Sequence, residues 1–146
     1  YTQPPEITQL AYWSLRGTSR KDIKIVYYAE KSGDYYIITI PRYALPLFSN
    51  GNYPVILALL GNVVYPENKT NVALILKINN VTVKKTFYEI YCCRNVEWRG
   101  RIWRLYYVYL PAILIQERNY VTILFHHKDV NIIPFGLAVL LCERSI

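Results

Sequence analysis

An all-β sandwich is the fold this sequence predicts, on three observations. Apolar residues make up 53% of the 146 positions and charged residues 18%, so the chain can bury a core and is far from the composition of a disordered segment. The apolar share is dominated by Ile, Val, Leu and 15 Tyr, with no Met, the mix that fits a pleated, half-buried surface. The apolar residues fall in short runs bounded by Gly, Pro, Asn and Ser, and no segment sustains a helical period. About nine such runs stack most simply as two facing sheets, a β-sandwich or jelly roll, with a closed barrel as the alternative.

The elements follow in order. Tyr1 to Glu6 contains Pro4 and Pro5, which lack amide donors and favour an extended N-terminal arm. Ile7 to Leu15 alternates loosely and ends at the polar turn Arg16-Gly-Thr-Ser19, so it reads as a strand. Asp22 to Glu30 and Asp34 to Pro41 alternate around Lys31-Ser-Gly33, a hairpin with Gly where positive φ is needed. Tyr43 to Asn52 carries Pro46 and the turn Asn50-Gly-Asn52; Pro54 to Val64 then reads as a long buried strand broken near Gly61.

Asn71 to Ile78 and Val81 to Tyr91 flank Asn79-Asn80. Asn tolerates the left-handed geometry of a two-residue hairpin turn, so a second hairpin is expected. Arg101 to Leu110, Tyr120 to His127 and Phe135 to Glu143 complete the set, with Pro111 and Pro134 at element ends. No repeat, low-complexity tract or linker divides the chain, so residues 1–6 read as an arm and 7–146 as a single domain.

Several features point to export. No Met stands at position 1 or elsewhere, which is expected if the amino end arose by removal of a signal peptide; a chain trimmed in another way is the alternative. Asn68-Lys-Thr70 and Asn80-Val-Thr82 are sequons that an exported protein could use. Of the two, Asn68 in its loop is the better acceptor. An extracellular, cell-surface or virion-surface location follows as the expectation.

Three cysteines, Cys92, Cys93 and Cys142, have no CxxC spacing, which argues against a zinc site or a thioredoxin-type pair. A bridge from the vicinal pair to Cys142 and three reduced, buried thiols both remain open. The longest apolar stretch, Tyr53 to Tyr65, is broken by Pro54, Gly61 and Asn62 and is too short for a membrane-spanning helix. The net charge of +7 permits attraction to anionic polymers but says nothing of fold.

Ala73-Leu-Ile-Leu-Lys-Ile-Asn-Asn-Val-Thr-Val83, the segment Tyr109-Leu-Pro-Ala-Ile-Leu-Ile-Gln-Glu-Arg-Asn-Tyr-Val-Thr-Ile-Leu124 and the closing Phe135-Gly-Leu-Ala-Val-Leu-Leu141 resemble the galactose-binding-domain-like jelly rolls that accompany many glycoside hydrolases. That resemblance covers the second half of the chain and implies sandwich architecture, with glycan binding as one function. The Ile, Tyr and Val richness, with the processed end, also resembles archaeal extracellular filament subunits and virion surface proteins. This second resemblance implies an amino-terminal arm that completes a neighbouring subunit's sandwich by strand addition. Pro4, Pro5, Ile7, Leu10, Tyr12, Trp13 and Leu15 would form that arm. The other reading of Ile7 to Leu15 is an ordinary first strand in its own sheet.

No catalytic set emerges, and no enzyme is expected. The chain has only ten Asp and Glu, and none makes a convincing acid/base pair. His126 and His127 are adjacent and would point to opposite faces of a strand, so they should not share a metal. Ser14, Ser19, Ser32, Ser49 and Ser145 lack a nucleophile-elbow setting, and the glycines are too dispersed to cradle phosphate. No cofactor is implied.

One cluster stands out. Arg94, Trp98, Arg99, Arg101, Trp103 and Arg104 interleave indoles with guanidinium groups around Gly100, a composition that could stack sugars or bases and bind anions. The alternative is one core Trp with a rim of solvated arginines. Nucleic acid ranks low as a partner, since no reading motif accompanies the charge. The leading expectation is therefore an exported structural subunit that forms homo-oligomers or polymers through strand edges. A carbohydrate-binding module comes second, and a binder of anionic polymers third.

Overall fold

The computed structural model describes residues 22–98 and 100–142. The expected arm and the strand Ile7 to Leu15 lie outside them. Among the described residues there are ten strands: β1 (Asp22–Tyr28), β2 (Glu30–Ser32), β3 (Tyr35–Thr39), β4 (Val55–Val63), β5 (Val72–Ile78), β6 (Val81–Thr86), β7 (Tyr91–Trp98), β8 (Arg101–Leu110), β9 (Arg118–His126) and β10 (Val130–Cys142). They form two five-stranded sheets, A with order β1-β10-β4-β8-β7 and B with order β2-β3-β9-β5-β6. Every pairing is antiparallel. The all-β two-sheet sandwich is thus the observed fold.

The principal core lies between the sheets, because alternate residues of each strand point inward. Leu57 and Leu59 of β4, Tyr106 and Val108 of β8, and Leu137 and Val139 of β10 meet Ile38, Leu74, Leu76 and Val121 of sheet B, all fully buried. A short helix α1 (Leu45–Ser49), with Pro in its first turn, joins β3 to β4 and drops Phe48 into this core against Tyr27, ring centroids 5.8 Å apart.

Turn chemistry sets the registers. In the β2–β3 hairpin Ser32 pairs with Tyr35, so the turn is Gly33-Asp34, one residue later than Lys31-Ser-Gly33. Gly33, at φ 60°, takes the first position of a II′-like turn. The run Asp22 to Glu30 is also divided. Around Ala29, whose N–H donates to the Phe135 carbonyl at 2.8 Å, the chain leaves β1 in sheet A and enters β2 in sheet B. The β5–β6 hairpin has its turn at Asn79 and Asn80, with φ of 50° and 68°, as a I′ turn requires.

One proline and one glycine differ from the sequence reading. Pro134 lies inside β10, at a register shift between Pro134 and Gly136, where its missing N–H is tolerated. Gly61 continues β4 and pairs with Arg104 and Ile132. A Cβ there would sit 1.8 Å from the Asn131 carbonyl, so glycine permits the close approach of β4 and β10.

Buried polar groups fix elements within each layer. Val63 N–H donates to the Tyr106 hydroxyl at 2.9 Å in the core. Asn119, fully buried, donates through Nδ2 to the carbonyls of Ile38 and Gln116 and accepts at Oδ1 from Gln116 N–H and Asn79 Nδ2. One side chain therefore clamps β3, the β8–β9 connection and the β5–β6 turn.

Candidate assembly surface

The central strands of sheet A, β4, β8 and β10, are apolar on both faces. The residues of β4 that alternate with its core set, Ile56, Ala58 and Leu60, are fully buried, yet their side chains point away from sheet B. They form a second hydrophobic cluster with Leu105 and Tyr107 of β8 and Phe135 and Ala138 of β10, and its described members all belong to sheet A. Trp103, Tyr109 and Ile133 pack against it. The register explains the assembly: Ala58 faces Tyr107 on one side and Gly136 on the other, so small residues in the centre let large rings from the flanks close over them. A two-layer sandwich normally leaves its outer faces polar.

An aromatic border extends this face to the β7 side. Tyr91 stacks on Tyr107, centroids 5.2 Å apart at 18°, and both meet Tyr109 edge-on at 5.4 and 5.8 Å. Burial, followed by the neighbouring Tyr91, raises the Tyr109 pKa above its ordinary value. On the opposite side Tyr28 meets Phe135 edge-on at 5.4 Å. Tyr28 and Tyr91 remain partly open, at 36% and 43% exposure.

The described sheet edges differ in character. At the margins of sheet B, β2 has three residues, and β6 carries Lys84 and Lys85, the latter 3.8 Å from Glu89. Short length and lysines are the usual devices that stop an edge from recruiting another strand. In sheet A, β1 pairs with β10 over seven consecutive residues without a register shift and contains no proline. Among the described residues no strand pairs with its other side.

The residues singled out from the sequence separate in space. The assembly-arm positions Pro4, Pro5, Ile7, Leu10, Tyr12, Trp13 and Leu15 lie outside the described residues, as do Arg99 and the side chains of Arg94 and Trp98. Arg94 to Trp98 belongs to β7, and β7 and β8 form a hairpin around Gly100, which has φ 71°. Strand geometry divides the basic-aromatic segment: Trp103 joins the outer apolar face of sheet A, whereas Arg104, the next residue, points to the other face and stays exposed.

Both sequons are exposed at their Asn. Asn68 Oδ1 accepts from Thr70 N–H at 3.1 Å and from Thr70 Oγ1 at 2.5 Å, a local Asx turn. Cys92 is disulfide-bonded. His127 is half-buried, edge-on to Phe87 at 5.2 Å, and its Nδ1 accepts from Asp129 N–H at 3.2 Å. His126 is exposed at the end of β9. Among the described residues no group of His, Cys, Asp and Glu could hold a metal ion, and no helix is long and apolar enough to cross a membrane.

The second apolar face did have a sequence signal. Val55 to Leu60 is an unbroken apolar run, and such runs belong to strands covered on both faces. Compared with known proteins, the chain matches no protein family, no curated protein and no solved structure.

Proposed function

We propose that this chain is an exported, non-enzymatic structural subunit that assembles with copies of itself through sheet A. The observation that supports the reading is the aromatic margin of the second apolar cluster: the cluster itself is already buried within the chain, while Tyr28 and Tyr91 beside it stay partly open, and apolar surface of that kind suits a contact. The β1 edge, long and free of proline, supports strand addition as the mode of contact. The amino-terminal segment is the natural donor, since Ile7, Leu10, Tyr12, Trp13 and Leu15 supply apolar side chains directly upstream of that edge. Export is supported by the disulfide at Cys92, because such bonds persist in oxidising compartments, and by the exposed sequons.

Electron microscopy and sedimentation at micromolar concentration test this reading. The full chain is expected to form regular polymers. A chain lacking residues 1–15 is expected to remain unassembled and to recover a compact β fold when a peptide of residues 1–15 is added. A full chain that stays monomeric, or a truncated chain that polymerises normally, overturns it.

A further inference from the structure

The outward face of sheet B carries a groove unrelated to the apolar face of sheet A. It is an open concavity of about 200 Å³ lined by Tyr35, Tyr120, Thr122 and Leu124, with Lys77 on its floor and the turn residues Asp34 and Asn80 at one end. Alternation places these side chains together. Tyr35 precedes the inward-packed Tyr36, Lys77 lies between the buried Leu76 and Ile78, and Tyr120 and Thr122 flank the buried Val121. Lys77 and Thr122 are direct cross-strand partners. The II′-like turn at Gly33-Asp34 and the I′ turn at Asn79-Asn80 bring Asp34 and Asn80 to the same end of the sheet.

The chemistry of the groove is specific. Tyr35 and Tyr120 stand nearly perpendicular, 82° at 6.0 Å, so one presents a ring face beside the other's edge. The Arg118 guanidinium lies 5.5 Å from the Tyr120 ring centroid and braces that ring. Around these rings stand an acceptor-only carboxylate (Asp34), a donor-only ammonium (Lys77) and groups that both donate and accept (Asn80, Thr122 and the Tyr hydroxyls). Neither Asp34 nor Lys77 makes an ion pair among the described residues.

We propose that this groove binds a single pyranose unit of a glycan. A pyranose has an apolar C–H face to lie on a tyrosine ring and a rim of hydroxyls that need both donors and acceptors. The groove supplies both kinds of contact at the scale of one ring. A peptide strand would need an unpaired backbone edge, and the groove lies across paired strands β3, β9 and β5. The Asp34 carboxylate disfavours a nucleic-acid phosphate at that end. Asn80 is at once a groove residue and the acceptor of a sequon, so the pyranose has two sources, a separate glycan or the first sugar attached to this chain.

Amide-resolved NMR on two preparations tests the proposal. Protein from a host that does not glycosylate sequons is titrated separately with methyl glucoside, methyl galactoside, methyl mannoside and N-acetylglucosamine. Saturable shifts confined to residues around Tyr35, Lys77 and Tyr120 are expected for at least one sugar, with a dissociation constant on the order of 1 mM. Tyr35→Ala and Lys77→Ala, at exposed sites that spare the fold, should each weaken that binding by about tenfold. In protein from a glycosylating host, shifts in the groove without added sugar that disappear in Asn80→Gln identify the attached glycan as the occupant. Groove signals that stay unmoved in both preparations, or shifts that persist unchanged in Tyr35→Ala, overturn the proposal.

Discussion

Asn79 and Asn119 are joined by a side-chain hydrogen bond of 2.9 Å from Asn79 Nδ2 to Asn119 Oδ1, linking a hairpin turn to the one fully buried polar residue among those described. Asn79 also donates to the Leu114 carbonyl and accepts from Tyr120 N–H. Two adjacent amides thus satisfy backbone groups of β3, of β9 and of the β8–β9 connection.

Replacing Asn119 with Ala would leave the Ile38 carbonyl short of a partner in the interior, and the Gln116 carbonyl, Gln116 N–H and Asn79 Nδ2 short of one at its part-buried margin. Each buried group left unsatisfied costs about 1–3 kcal/mol, and local relaxation recovers part of the sum. Asn119→Ala should destabilise the fold by about 3 kcal/mol in chemical denaturation, and Asn119→Asp by a similar amount, since a carboxylate cannot donate to the two carbonyls.

Tyr106→Phe should cost about 1–2 kcal/mol, because Val63 N–H loses its only described partner inside the core while the ring volume is kept. Hydrogen exchange at Val63 should accelerate in this variant, and the remainder of β4 should keep its protection.

Gly61→Ala should be more damaging than its size suggests. The added methyl meets the Asn131 carbonyl at 1.8 Å and Ile132 Cα at 2.7 Å, so β4 and β10 must separate locally. A loss of about 3 kcal/mol or more is expected, read as a lower denaturation midpoint with an unchanged denaturant slope.

The pH dependence has opposite causes at its two ends. Burial, then the nearby Tyr106, pushes the Tyr65 pKa up to about 12 from its ordinary 10.0, with Arg104 pulling it back down in part; its hydroxyl donates to the Ile90 carbonyl at 3.1 Å. The unfolded chain ionises first, so the contribution of Tyr65 is intact below pH 10 and is lost as pH rises towards 12. At the acid end, Thr86 N–H is the main cause that lowers the Glu89 pKa. That contribution is present above the ordinary carboxylate value and is lost as pH falls through the folded one. Tyr65→Phe should flatten the alkaline limb of a stability profile, and Glu89→Gln the acid limb.

Much of the sandwich was legible because its strands alternate and its turns carry their chemistry openly. Asn79-Asn80 is a clear case: two consecutive residues must adopt positive φ, and Asn accepts this. Strand β7 was not legible, since Arg94, Asn95 and Glu97 mask any alternation and its place follows from pairing with β8. The switch at Ala29 was hidden for a related reason. The local sequence stays strand-like across it, and only the distant Phe135 carbonyl fixes where the chain changes sheets. The segment Arg94 to Arg104 reads as one patch along the chain, but strand geometry sends Trp103 and Arg104 to opposite faces.

The groove on sheet B was invisible to a linear reading for the same physical reason. Asp34, Lys77 and Tyr120 are far apart in the chain, and cross-strand register alone brings them together. The apolar face of sheet A was half visible, since Val55 to Leu60 declared a doubly covered strand without saying what its neighbours would be.

The lysines of β6 and the three-residue β2 have a directional consequence. If the proposed assembly through the β1 edge holds, a sandwich whose sheet B discourages new strands would add neighbours through sheet A alone, which favours slender threads over sideways clumping. Replacing Lys84 and Lys85 with Thr would remove that restraint and should convert orderly polymers into laterally fused bundles.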